Sequence, residues 1–202
     1  MNVLVLGPPP EVGFTPVYEY LKGIGEKVTF LWERLQPGAE KYADFIVSHR
    51  YRHILSPEIC EEFQGRAINL HPSALPWNRG VQPNFFSWMD RTYKGVAIHL
   101  IGPEVDAGEL VARRYVKLTP EVHTLRSSYT VLQQELFQLF REVWKDFQDR
   151  VPWGQEEKGS LNKEETFRAY SHLIWDHGWD TRVTTIVQAG DMLRDQYGYR
   201  PV

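Results

Sequence analysis

Short apolar runs along the chain alternate with stretches whose apolar positions recur every three or four residues. Residues 2–6 (Asn-Val-Leu-Val-Leu), closed by Gly7-Pro-Pro-Pro10, read as a buried strand. A helix is expected over 15–23, with Val17, Tyr20 and Leu21 on one side and glycine at the stop. Strands are expected at 27–32, 44–47, 67–70 and 94–101. Another, 110–118, alternates, with Leu110, Ala112, Val116 and Leu118 on one face. Ser56-Pro57 opens a short helix, serine as cap and proline in the first turn, and 83–91 predicts a second. From Thr119-Pro120 a long helix should run to about Phe147, because Leu125, Tyr129, Leu132, Leu136, Leu139 and Val143 fall at steps of four and three. Past Val151 the periodicity weakens. Turns at 152–154 and 156–159 precede helices expected at 163–175 and 184–194. Strands alternating with helices imply an α/β fold: a Rossmann-like, mostly parallel sheet flanked by helices, with a long C-terminal helix and a small extension. The division expected is one domain over residues 1–150 and an extension over 151–202.

Composition narrows the class without choosing a function. With 202 residues, 42% of them hydrophobic and 24% charged, the chain suits one well-packed soluble domain plus an appendage. A formal net charge of −3 argues against general affinity for nucleic acid. No apolar run reaches the ~20 residues of a membrane helix, and the start lacks a basic flank and signal-like core. A cytoplasmic protein without a membrane partner is expected. The single cysteine, Cys60, excludes an internal disulfide and agrees with a reducing compartment. Set in a short helical pattern with no adjacent base, it reads as a packed thiol.

The chemistry concentrates between Ile68 and Gly108. Asn69 and His71 stand where the run 67–70 breaks at Pro72, and Asp106 follows the run 96–101. Side chains at strand ends are held by the sheet yet open to a cleft, where open α/β sheets bind ligands. An amide that steadies an oxyanion, an imidazole that moves a proton and a carboxylate that orients the imidazole suit acyl transfer. Taken singly, His71 reads as a hydrogen-bonded structural histidine, Asn69 as a loop residue and Asp106-Ala-Gly108 as a plain turn; their joint placement raises the catalytic reading. His99, inside an apolar strand, reads as a core or supporting histidine. In Ser48-His-Arg-Tyr-Arg-His53 no cysteine or carboxylate follows at ligand spacing, so no metal is expected. Arg50 or Arg52 meeting pyrophosphate or carboxylate oxygens, and a solvated turn rim, stay open there. Trp77, Phe85, Phe86 and Trp88 suit a core as well as stacking; Trp77, in a loop, is the stacking candidate.

Asn69-Leu-His71-Pro-Ser-Ala-Leu-Pro76, Asn78-Arg79-Gly80 and Val105-Asp106-Ala-Gly108 together resemble the folate-dependent formyltransferase family. The match is strong over about residues 48–118. The resemblance implies 10-formyltetrahydrofolate as co-substrate, no metal, and a formyl carbon placed beside Asn69, His71 and Asp106. It assigns the oxyanion to Asn69, proton transfer to His71 and orientation of the imidazole to Asp106. It puts the pterin ring against the loop 52–56, with Arg52, His53 and Leu55, and the loop 101–106, with Ile101, Val105 and Asp106. Gly102-Pro103 departs from the acidic residues usual in that second loop.

Subfamily follows from differences. Glycinamide ribonucleotide transformylase has a glycine- and serine-rich phosphate loop after its first strand; here that place reads Gly7-Pro-Pro-Pro-Glu-Val-Gly13, and proline offers no N–H to a phosphate. Roughly fifty residues past Val151 leave little room for the RNA-binding domain of methionyl-tRNA formyltransferases. The segment 77–88 looks most like the nucleotide-sugar N-formyltransferases, which assigns substrate contacts to Trp77, Asn78, Arg79 and Asn84. The implied function is formylation of the amine of a nucleotide-linked amino-deoxysugar, as in bacterial surface-polysaccharide sugar synthesis. The resemblance also implies a homodimer, and residues 151–202 are expected to serve oligomerisation or substrate contact. The rivals are another amine acceptor such as glycinamide ribonucleotide, hydrolysis of 10-formyltetrahydrofolate, and a non-enzymatic folate- or nucleotide-binding module.

Overall fold

The structure is a computed structural model that describes residues 1–8, 16–38, 41, 43–155 and 159–199. The readings at Pro9-Pro10, Glu11-Val-Gly13, Thr15 and Glu156-Glu-Lys158 lie outside the described residues. A six-stranded sheet has the order β2-β1-β3-β4-β6-β7. Its strands are β1 (Asn2–Leu6), β2 (Lys27–Leu31), β3 (Phe45–His49), β4 (Ala67–His71), β6 (Gly95–Leu100) and β7 (Leu110–Tyr115). Short strands β5 (Arg79–Gly80) and β8 (Leu161–Asn162) pair separately and in parallel. The helices are α1 (Pro16–Gly23), α2 (Pro57–Glu62), α3 (Pro83–Met89), α4 (Leu125–Lys145), α5 (Glu164–Tyr170) and α6 (Val183–Tyr197).

The wholly apolar runs became central strands. β1 and β3, buried almost throughout, pair in parallel with each other, and β2 and β4 flank them in parallel. Of the last two strands, β6 runs against the others and β7 turns back to run with them. The Ile101 N–H donates to the Ala67 carbonyl and the His99 ring faces Asn69, so partners run in opposite senses along β4 and β6. The pairs Leu100–Glu109 and Val116–Lys94 show the same reversal between β6 and β7. The sheet is therefore mixed, though mostly parallel as expected. This reversal sets Asn69 directly opposite His99 on one face.

The helix expected to start at Thr119-Pro120 begins later. Pro120–Val122 forms a single 3₁₀ turn, and α4 starts at Leu125. Thr124 and Ser127 decide this by capping reciprocally: the Ser127 N–H donates to Thr124 Oγ1 at 3.1 Å, and the Thr124 N–H to Ser127 Oγ at 2.9 Å. Leu125, Leu132, Leu136, Leu139 and Val143 are buried as their spacing requires, with Phe140 beside them. Ser56 caps α2 as expected, accepting from the Ile59 N–H at 3.5 Å, with Pro57 in the first turn.

The chain divides into two compact units. One compact unit comprises Met1–His71, Ile98–Ala112 and Leu136–Gln155; the other comprises Pro72–Ala97, Arg113–Glu135 and Glu156–Val202. The first has a core of Leu4, Leu6, Leu35, Ile46, Ile59, Phe63 and Ala67. The second packs Phe85, Phe86, Trp88 and Met89 of α3 against Leu125, Val183 and Ile186. Residues after 155 thus complete a core that α3 does not close alone. Gly190 marks the closeness of α6 to α3, since a Cβ there would lie 2.0 Å from the Met89 carbonyl oxygen. No helix among the described residues is long and apolar enough to cross a membrane.

Candidate active site

Asn69, His71 and Asp106 converge within the first unit, and His99 joins them. Asn69 and His71 alternate with Leu70 on β4, so both face one side of the sheet. The Asp106 turn returns over that face. His71 Nδ1 lies 3.5 Å from Asp106 Oδ2, and both side chains are largely shielded, at 7% and 13% exposure. Asn69 Nδ2 donates to Asp106 Oδ1 at 3.1 Å and lies 3.2 Å from His99 Nε2. His99 Nδ1 sits 2.8 Å from the Leu100 carbonyl, an acceptor, so this nitrogen carries a hydrogen. His99 Nε2 is then left facing Asn69, and Asp106 Oδ1 at 3.3 Å. The supporting reading of His99 matches this place: buried and directed at the other polar groups. The expected roles leave one addition to make. Asn69, assigned to an oxyanion, also ties Asp106 to β4 in this arrangement.

Asp106 adopts φ +49°, a left-handed conformation uncommon for a residue with a Cβ. Gly108 allows the turn to press against β6, since a Cβ there would lie 1.8 Å from the Leu100 carbonyl oxygen.

The two loops expected to border a pterin share one apolar base. Leu55 and Ile101 both pack on the first unit's core, and the Cys60 thiol faces the Gly102 carbonyl at 3.7 Å. Burial pushes the Cys60 thiol above its ordinary range, with Glu58 adding to it, which keeps it protonated and unreactive as expected. Ile54 and Val105 expose 71% and 43% of their surface. Arg52 lies over the Trp32 ring, 5.0 Å from its centre, and its Nε donates to His53 Nε2 at 3.4 Å. Desolvation first, then the Arg52 and Arg34 charges, lower the His53 pKa. Tyr51 locks this loop: its hydroxyl donates to the Glu33 carbonyl at 2.7 Å and accepts from the Leu35 N–H at 2.8 Å.

The expected substrate residues lie in the second unit and divide sharply. Asn78 is wholly buried, donating from Nδ2 to Thr92 Oγ1 at 2.7 Å. Its backbone N–H meets Ser160 Oγ at 2.9 Å. Asn84 donates to the Leu125 carbonyl at 2.9 Å and lies 3.1 Å from Ser128 Oγ. Both amides are engaged with the protein's own groups. Trp77 Nε1 and Arg79 Nε differ: both are buried donors with no acceptor among the described residues. Phe85, Phe86 and Trp88 are core.

Two features escaped the sequence. Gln155, which falls between two expected turns, reaches the Asp106 turn. Asp90, Lys94 and Tyr199 form a half-buried ionisable cluster in the second unit. Burial raises the Asp90 pKa to about 6 against the pull of Tyr199, Arg194 and Lys94, and burial lowers the Lys94 pKa to about 8. Neither feature has a local signal, because long-range pairing creates both.

An amide, two imidazoles and a carboxylate thus gather on one face of a mixed α/β sheet, the kinds of group that acyl transfer uses. The chain belongs to the formyl transferase family, whose profile matches residues 22–143, more than half its length. In structure it is similar to the formyltransferase PseJ from Anoxybacillus kamchatkensis, solved with UDP-4,6-dideoxy-4-formamido-L-AltNAc and tetrahydrofolate. The TM-score is 0.86 at 35% identity, over 94% of this chain and 100% of that one. A 4-N formyltransferase from Francisella tularensis shares the fold, with TM-score 0.73 at 16% identity over 94% and 87% of the two chains. By sequence, a methionyl-tRNA formyltransferase from Listeria innocua is 33% identical over 127 residues, 59% of this chain and 38% of the relative. A formyltetrahydrofolate deformylase from Corynebacterium sp. (strain P-1) is 33% identical over 78 residues, 38% of this chain and 27% of the relative. The chain thus spans well under two thirds of the length of the relatives it matches by sequence.

Proposed function

We propose that this chain transfers a formyl group from 10-formyltetrahydrofolate to the amine of a nucleotide-linked amino-deoxysugar. The meeting of Asn69 and His71 with Asp106 carries the reading, and likeness to PseJ with its UDP-formamido sugar and tetrahydrofolate supports it. The exposed apolar side chains Ile54 and Val105, on loops resting on one core, fit a flat pterin ring. The bound folate supplies the formyl carbon, which the acceptor amine attacks and from which tetrahydrofolate departs.

His71 takes a proton from the attacking amine and returns one to the departing nitrogen, through Nε2, because Nδ1 faces Asp106. Asp106 holds the ring in that orientation. Asn69 donates to the oxygen on which negative charge develops, using the N–H directed at His99 Nε2 in the structure. Trp77 and Arg79 meet the nucleotide sugar with their buried indole and guanidinium donors, which have no acceptor among the described residues. Asn78 and Asn84 act on the substrate only by shaping their segment. The chain works as a cytoplasmic homodimer; Trp175 and Tyr197, 77% and 75% exposed in the second unit, offer apolar surface for a partner copy.

The deciding experiment incubates the protein with 10-formyltetrahydrofolate and a panel of nucleotide amino sugars, and looks by mass spectrometry for the gain of one formyl group. Formylation of glycinamide ribonucleotide with no reaction in a broad sugar panel sinks the reading. Formate release without any amine would instead favour hydrolysis, the activity named in the deformylase relative.

A further inference from the structure

We propose that Gln155 is a positioning residue for the proposed reaction, holding the Asp106 turn so that its carboxylate meets His71; this rests on the function proposed above. Its Nε2 donates to the Asp106 carbonyl at 2.9 Å and to the Gly108 carbonyl at 2.8 Å, so one amide group clasps both ends of Asp106-Ala-Gly108. An antiparallel bridge delivers it there. The Leu110 N–H donates to the Trp153 carbonyl at 2.8 Å, and the Trp153 N–H to the Leu110 carbonyl at 2.9 Å, two residues before Gln155.

The turn needs such a clasp. Asp106 sits at φ +49°, a conformation that persists only where surroundings hold it. Within the turn, the Ala107 N–H reaches the Glu104 carbonyl at a long 3.4 Å. Gln155 Oε1 is buried with no donor among the described residues. An orphaned buried acceptor normally costs stability. The chain accepts it while both Nε2 hydrogens are engaged, and the reverse amide orientation would set an oxygen against two carbonyls. Glutamate at this position would do the same with a charge. His71 faces Asp106 at 3.5 Å and, ring to ring at 6.4 Å, His99; the placement of Asp106 therefore governs the charge nearest the proton-transferring ring.

The test uses Gln155→Met, which keeps the side chain's length and volume without its donors, and Gln155→Glu, which opposes the carbonyls. Both should lower kcat by roughly 10- to 100-fold, inside the general range for acid–base positioning. KM for the amino sugar should stay within about threefold, as expected for a contact felt only in the reacting state. Combined with Asp106→Asn, Gln155→Met should add less than about twofold, since residues acting as one unit are not additive. The His71 ring titration, followed by NMR on the folate-free protein, should move toward that of Asp106→Asn. This last readout needs no turnover, so failure of formyl transfer would sink the function while leaving Gln155 testable. Wild-type kcat in Gln155→Met, losses that multiply in the double variant, or an unmoved His71 titration would each overturn the proposal.

Discussion

Asn69 in the first unit and Asn78 and Asn84 in the second are the same side chain put to opposite uses. Asn69 lies half-buried on a strand, its amide directed at an ionisable carboxylate and an imidazole. Asn78 and Asn84 are buried and directed at a hydroxyl, a backbone carbonyl and neighbouring side chains that never titrate. The difference lies in the partners. An amide joined to groups that can gain or lose charge can take part in chemistry; one joined to neutral fixed groups can only hold a shape. The two units repeat this contrast. The first gathers His71, His99 and Asp106 around a turn clasped by Gln155, whereas the second uses its polar residues chiefly to fasten loops and helices.

Substitutions at the two kinds of asparagine, and at their neighbours, should separate activity from stability. The largest effects belong to the first unit. His71→Asn and Asp106→Asn should fold and lose about 10²–10⁴-fold in kcat. Asn69→Ala should lose about 10²–10³-fold, with steady-state rates measured at saturating folate and amino sugar. Near wild-type turnover in any of the three removes that residue from the mechanism.

In the second unit the loss should appear in stability. Asn84→Ala strips the Leu125 carbonyl and Ser128 of a donor, and Asn78→Ala strips Thr92. Each should cost about 1–3 kcal/mol in urea unfolding, while activity per folded molecule stays within a few-fold. A variant at either position that is fully stable but inactive would break the contrast and return that asparagine to the substrate.

A smaller, pH-dependent effect is expected at Asp90. Its folded pKa of about 6 lies above the ordinary 3.8, so the native state binds more protons than the unfolded one between those values. Stability from this group is full below about pH 4 and declines as pH rises through about 6. Lys94 works at the other end: with a folded pKa of about 8, its contribution increases with pH from there to about 10.5. Asp90→Asn should flatten the decline between pH 4 and 6, on the order of 2 kcal/mol, in unfolding curves taken across that range. An unchanged slope would show that Asp90 titrates alike in both states. The smallest effect belongs to the exposed Arg126–Asp180 pair. Arg126→Ala should shift the thermal midpoint no further than the scatter between repeat scans.

Much of the fold was legible because its signals are local. The strand at 2–6 and the buried stripe of α4 follow from which side chains avoid water and how often they recur. The misplaced start of that helix was a capping question that periodicity alone does not answer; Thr124 and Ser127 answer it. In the site, Asn69, His71 and Asp106 stood out through residue type, order and flanking pattern. The internal partners of Asn78 and Asn84 did not, since an asparagine in such a segment looks the same whether its amide meets a ligand or a buried hydroxyl.

The sequence by itself determined the strands, the helices, the family and the three polar residues at its centre, because side-chain hydrophobicity, spacing and motif order act over short stretches of chain. Tertiary structure alone decided that β6 runs against its neighbours, that residues after 155 complete the core on α3, and that Gln155 reaches Asp106 across 49 positions of sequence. Each of these depends on which distant segments share a hydrogen bond or an apolar face. Such partnerships are fixed only when the whole chain has folded, for no stretch of sequence carries the identity of its own partner.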